Sequence, residues 1–272
     1  MSHRLVFAAA AAGCVIAAVL PASAAASRAP DLVCTGPVVG GTYANVVVPA
    51  TTTSCSLTGV TVIRNVTDGD GAYATLTDSQ VGGNVSVGTN GAEVDFNTTA
   101  DTGPLATSPM TVHGNLTIGS IGYSVVNPGA IIEGTTYLNN AENLQITQGT
   151  VHNVLSQTAG SLTFSQGEID GSIVANNTIE GGSFYENTIR GNLVLNATQA
   201  GFGSWTIEGP QEIDGNVLLT NNQVPISLLA NHIKQNLACY NNTPPPAAPE
   251  ANQVDGRELG QCAGLTAGAG GG

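Results

Sequence analysis

A β-branched residue returns along this chain at a nearly constant interval, and that period limits the possible folds more than any other feature. Ile63, Val81, Val112, Ile132, Val151, Ile169, Ile189, Ile213 and Ile233 form the series. Most steps are close to 20 residues, with expansions between Val81 and Val112 and between Ile189 and Ile213. Two residues after each anchor stand Asn65, Gly83, Gly114, Gly134, Asn153, Gly171, Gly191 and Gly215, with Gln235 as the exception. Gly and Asn tolerate a positive φ, so this column reads as a repeated bend. A polar residue commonly follows, as in Asn84, Asn115, Thr135, Ser172, Asn192, Asn216 and Asn236. An apolar residue then returns, as in Val85, Leu116, Ile173, Leu193, Val217 and Leu237. A second apolar column keeps pace half a period away: Leu144 and Ile146, Leu162 and Phe164, Phe184, Trp205 and Ile207, Ile226 and Leu228.

A coil of about twenty residues cannot bury its apolar side chains alone, but stacked coils can. Parallel stacking at ~4.8 Å per coil puts like residues on like and lets the Asn column form an amide ladder. A β-sandwich gives no reason for the same bend chemistry after every second strand, and the six-residue period of a left-handed hexapeptide helix is absent. The expected fold is all-β: a single-stranded right-handed parallel β-helix of about nine coils over residues 60–240. Composition agrees. The chain has 35 glycines and only 9% charged residues, so helix formers are scarce and turn and β-branched residues abundant.

The ends carry their own signals. Arg4, the apolar run Leu5 to Leu20, Pro21 and Ala22-Ser23-Ala24 read as a cleaved secretory leader over residues 1–26. No second long apolar run follows, so no membrane span is expected after cleavage. An exported chain can oxidise its four remaining cysteines, Cys34, Cys55, Cys239 and Cys262. Three connectivities are open; the sequence-local one, Cys34 with Cys55 and Cys239 with Cys262, is expected, each bond stabilising by roughly 3 kcal/mol on the chain-entropy argument. Open solenoid edges invite stacking between molecules. Caps are therefore expected over 27–59 and 241–262, the second opening with Thr243-Pro244-Pro245-Pro246, which cannot continue a ladder. A disordered tail is expected over 263–272.

The residue after each anchor should face outward. That column reads Arg64, Gly82, His113, Glu133, His152, Asp170, Arg190, Asp214, Lys234, and its sign alternates from His113 onward if the histidines count as cations. We read it as a register-setting charge ladder of His113, Glu133, His152, Asp170, Arg190, Asp214 and Lys234. A metal site from His113, Glu133, His152 and Asp170 is disfavoured, because four coils at ~4.8 Å spread the ligands too far for one ion. Asp68, Asp70 and Asp78 around Gly69 and Gly71 resemble part of a calcium loop but read better as a solvated turn. Glu208, Glu212 and Asp214, like Glu168 and Asp170, could in principle cleave glycosidic bonds, though acids on an outer face also serve solubility. Trp205 falls in the core column and is expected inside rather than as a sugar platform. Thr75 and Thr77 make one Thr-x-Thr pair that does not recur with the coil. Insertions around 98–109 and 197–203 are places where a binding role could reside.

The formal net charge of −13, or −14 once Arg4 is lost, repels phosphate backbones, so no nucleic-acid partner is expected. No catalytic residue, cofactor or metal site is assigned. The run Asn236-Leu237-Ala238-Cys239-Tyr240-Asn241-Asn242-Thr243-Pro244, then Asn252-Gln253-Val254-Asp255-Gly256 and Gly260-Gln261-Cys262, resembles the C-terminal end of uncharacterised secreted β-helix proteins of actinobacteria. Ile189-Arg190-Gly191-Asn192-Leu193 and Ile213-Asp214-Gly215-Asn216-Val217 resemble their coils. The resemblance implies export and a β-helix and brings no activity. The expected function is a secreted, non-catalytic structural or binding protein for an extracellular or cell-envelope ligand. The alternative is a carbohydrate-active β-helix enzyme, a polysaccharide lyase or glycoside hydrolase.

Overall fold

The structure, a computed structural model, describes residues 29–99, 109–201 and 203–265. The leader, most of the 98–109 insertion and residues 266–272 of the expected tail lie outside the described residues. Every strand pairing is parallel, no helix forms among the described residues, and the chain winds through about eleven laps of a β-solenoid. Each lap lays down three short strands, which stack into three sheets. In four successive laps the first sheet holds Thr61–Val62, Gln80–Val81, Thr111–Val112 and the start of Ile131–Thr147. The second holds Val66–Asp68, Val85–Val87 and Leu116–Ile118; the third holds Tyr73–Thr77, Glu93–Asn97 and Tyr123–Val126. In the middle laps Ile131–Thr147 and Thr150–Ser165 run extended through the corners.

The interior files follow from alternation. Val81, Val112, Ile132, Val151, Ile169, Ile189, Ile213 and Ile233 stand in register, all fully buried. The lap before them is corrected by one residue: Val62, not Ile63, occupies the file, and Ile63 is 52% exposed. The reason lies four residues on. Val66 must also face inward, and only Val62 is at the spacing that every later lap but one uses. The third-sheet column is as read: Phe164, Phe184 and Trp205 stack at 5.0 and 5.7 Å between ring centres. Trp205 sits opposite Gly182 and donates its indole N–H to Thr198 Oγ1 at 2.7 Å, which satisfies a buried donor.

The bend column has a different physical cause from the one expected. None of Gly83, Gly114, Gly134, Gly171, Gly191 and Gly215 has a positive φ. They are glycine because the backbone of the lap below lies against them. A Cβ on Gly134 would stand 2.3 Å from the Gly114 carbonyl oxygen. Asn65 and Asn153 do not belong to this column but to the polar one beside it, where side-chain oxygens accept the next lap's backbone N–H. Asn65 accepts from Asn84 at 2.9 Å, Asn84 from Asn115 at 2.8 Å and Asn153 from Ser172 at 2.8 Å. Direct amide-to-amide bonds appear later, Asn216 to Asn192 and Asn236 to Asn216.

Positive φ is concentrated at the other two corners, at Asn177, Ala197, Asn221 and Asn241 and at Gln166, Glu186 and Ala230. The residue after such a turn often points inward as a buried amide. Asn222 accepts from Thr198 N–H and Asn242 from Asn222 N–H; Asn187 accepts from Gly167 N–H and Asn252 from Asn231 N–H.

Cys34 is joined to Cys55 and Cys239 to Cys262, as expected. The terminal segments add strands to the stack. Leu32–Val33 lies on Val46–Val47, and Pro37–Val39 lies on Ser56–Thr58. At the far end Gln253–Val254 lies on His232–Ile233 and Glu258–Gly260 on Leu237–Cys239. Tyr43 and Val254 thus extend the nine counted anchors to about eleven laps. The prolines after Thr243 interrupt pairing, which in the third sheet is then limited to the single bridge of Ala247 to Ser227 before the first and second sheets resume at Gln253 and Glu258.

Candidate functional site

Three outward surfaces concentrate chemistry. The first lies on the second sheet. Its outward residues over seven successive laps are Tyr137, Leu155, Val174, Val194, Leu218, Ala238 and Leu259, each directly in register with the next. In the three laps before it the same column is polar, with Thr67, Ser86 and Thr117, and in the first two laps it is apolar, with Val33 and Val47. Tyr137 is 41% exposed; Val174, Val194 and Leu218 are half-buried, because each is flanked by its own equivalents above and below. Amides border the stripe. Asn192, Asn216 and Asn236 run along one side, and Asn176, Asn196 and Thr220 along the other. Val194, Leu218, Ala238 and Leu259 floor a depression of about 350 Å³ walled by the first three asparagines. A second depression of about 430 Å³, polar and lined by Asn221, Gln223, Asn241 and Thr243 with Ala200, opens past the other border. Tyr240, 43% exposed, stands on the same strand as Ala238.

The second surface is the corner between the first and second sheets, where the charged column stands. Its members associate in pairs rather than continuously. His113 Nδ1 meets Glu133 Oε2 at 2.7 Å, Arg190 Nε meets Asp170 Oδ1 at 3.0 Å, and Lys234 Nζ meets Asp214 Oδ1 at 2.6 Å. Arg64 falls outside the column, since Ile63 takes its outward place. Among the described residues His152 makes no ion pair and Arg190 does not reach Asp214; His152 lies in the one lap that takes three residues, not four, from its anchor to the next interior residue, Val151 to Val154. A neighbouring column, whose acids the sequence presents only as carboxylate pairs, completes the ion pairs. Glu168 also contacts Arg190, Glu212 contacts Lys234 at 2.7 Å, and His232 meets Asp255 at 3.1 Å. The carboxylates hold the Arg190 and Lys234 cations above their ordinary range, mainly through side-chain hydrogen bonds. No group of three or more His, Cys, Asp or Glu among the described residues is placed to hold a metal.

The third surface was missed in the sequence. Glu93 and Asp95 point outward from one strand of the third sheet, and Glu93 stands in register between Tyr73 and Tyr123. The Tyr73 hydroxyl donates to Asp95 Oδ2 at 2.9 Å. Burial raises the carboxyls of Asp95 and Glu93, and the Asp95 charge adds to the shift on Glu93. The detectable signal was the alternation Glu93-Val94-Asp95-Phe96, with a tyrosine one lap to either side.

The remaining acids separate. Asp68 faces the interior, which overturns its reading as part of a solvated turn. Asp70 accepts the Thr89 N–H at 2.9 Å and Asp78 the Thr99 N–H at 2.8 Å. Glu208 lies on the third sheet, away from the corner that holds Glu212 and Asp214. Thr75 and Thr77 have Ser56 and Thr58 one lap before and Asp95 and Asn97 one lap after, so their pattern does not continue. Among the described residues no helix is long and apolar enough to cross a membrane. Comparison of the chain with family models, with curated proteins and with solved structures finds no match.

Proposed function

We propose that this protein is a secreted, non-catalytic binding scaffold that docks an extracellular ligand on the outer face of its second sheet. One observation carries the reading: the outward column turns apolar at Tyr137 and stays so over seven laps through Leu259, although each position is free to be polar, as it is in the three laps immediately before. Contiguous exposed apolar surface rimmed by polar groups is a mark of an interaction site. The two disulfides and the leader-like start of the sequence support an oxidising destination. A second reading, a carbohydrate-active enzyme, draws on Glu93 and Asp95, two outward carboxyls with raised proton affinity beside tyrosines.

Screening purified protein against a panel of polysaccharides and envelope fractions, with and without calcium, separates the two. The scaffold reading expects retention without polymer breakdown, weakened by Leu218→Asp and unchanged by Glu93→Gln. Release of new sugar ends, abolished by Glu93→Gln or Asp95→Asn, would replace it with the enzyme reading. Retention indifferent to Leu218→Asp would remove the second sheet from the account.

A further inference from the structure

We infer that the ligand of this face is an uncharged, extended, β-linked polysaccharide chain lying along the solenoid axis, one sugar per lap. The inference rests on the docking reading above and adds the chemistry and direction of the occupant. Three features of the face select it.

The first is charge. Of the seven stripe residues only Tyr137 carries an ionisable group, and the bordering Asn192, Asn216, Asn236, Asn176, Asn196 and Thr220 are neutral. The border turns charged only in its last lap, at Arg257 after Asn236, and the corner charges are neutralised against one another, as in Arg190 with Asp170 and Lys234 with Asp214. A charged polymer would find no partner on the stripe and would lose its hydration there. The net charge of −13 further repels polyanions.

The second is period. Successive stripe residues stand one lap apart, at ~4.8 Å, so the seven positions span ~29 Å. An extended peptide presents side chains on one face every ~6.8 Å and runs out of step within two laps. A β-linked hexose in an extended chain advances only slightly more than one lap, and although successive rings are turned over, each presents a C–H face, so neighbouring rings can meet neighbouring laps.

The third is the alternation across the face. A pyranose ring has a C–H face and a rim of hydroxyls. Val174, Val194 and Leu218 offer a floor to the former, and the borders offer the latter the amide N–H groups that their own ladder bonds leave over, as at Asn192 and Asn236. Exposed tyrosines stand near both ends, Tyr137 at the first lap and Tyr240 beside Ala238 near the last, where ring stacking would terminate the track.

The test is calorimetric titration of the full chain with cello- and chito-oligosaccharides of increasing length, alongside oligogalacturonate and oligolysine. Affinity for one of the neutral series should climb with each added sugar and level off at about seven, the number of stripe laps. Val194→Asp, mid-track, should weaken the longest oligomer by about tenfold or more and move the plateau to shorter chains. Val174→Asn, a neutral outward change, serves as the second variant should the first perturb folding, and thermal melts report on both. Failure of both neutral series to bind, or binding that ignores chain length, would overturn the inference. Preference for a charged oligomer, lost in Val194→Asp, would overturn the ligand class and leave the docking face standing. Binding untouched by either variant would remove the face as well.

Discussion

Asp68 is the residue most at odds with its surroundings. It is 2% exposed, in register with Val48 on one side, and neither carboxylate oxygen has a hydrogen-bond partner. Burial pushes its carboxyl from the usual 3.8 up to about 7. The folded chain thus holds this proton more tightly than the unfolded chain. The stability it contributes is complete below about pH 4 and is lost as pH rises through 7. We expect urea melts to give higher stability at pH 5 than at pH 8, and Asp68→Val to raise stability at pH 8 by roughly 1–3 kcal/mol while flattening the difference. A wild-type protein equally stable at both values would contradict this. The sequence misplaced Asp68 because Val62 and Ile63 are both β-branched, and one slip turns every side chain of a lap over. Counted from Val62, the alternation through Val66 sends Asp68 inward. The glycine column was located correctly and misexplained: its positions repeat with the lap, but whether a glycine is needed for φ or for closeness of backbone is a property of the stacked state. Gly134→Val should therefore destabilise the fold strongly, through a clash with the lap below, as read by loss of the cooperative thermal transition.

At the level of strands and corners, two kinds of polar column hold neighbouring laps in register. The buried one is the stronger. Asn222 accepts the Thr198 N–H at 3.0 Å and donates to the Leu195 carbonyl at 3.0 Å and to Asn242 Oδ1 at 2.9 Å. Asn222→Ala strands these groups away from water and should cost roughly 1–3 kcal/mol, measurable as a shift in denaturant midpoint. The exposed charge column is weaker. Asp170→Lys sets an ammonium against Arg190 and should lower the melting temperature slightly, with the loss erased at high salt. An unchanged melting temperature at low salt would reduce the column to solvation. The buried amides were not legible in advance, because Asn after a left-handed turn residue resembles any surface turn; only stacking shows that the second residue of Asn221-Asn222 or Ala230-Asn231 points inward. The charge alternation was visible, but the pairing was not, since Glu168 and Glu212 approach from the opposite side of the anchor.

Across the whole molecule, the fold and the proposed docking face depend on one arrangement. The apolar track exists only because Tyr137, Leu155, Val174, Val194, Leu218, Ala238 and Leu259, dispersed along the sequence, are brought into line by lap-on-lap stacking. The period made the solenoid legible. It did not make the track legible, since a single exposed Val or Leu per lap is unremarkable until the register is known. Cysteine cross-linking tests that register directly. Adjacent parallel laps put equivalent Cα atoms ~4.8 Å apart, inside the span a disulfide bridges, while laps two apart, at ~9.6 Å, lie outside it. Paired cysteines at Val174 and Val194, and at Val194 and Leu218, should oxidise to intramolecular disulfides, and a pair at Val174 and Leu218 should not. Efficient closure of the Val174–Leu218 pair, or failure of both adjacent pairs, would contradict the stacked-lap architecture.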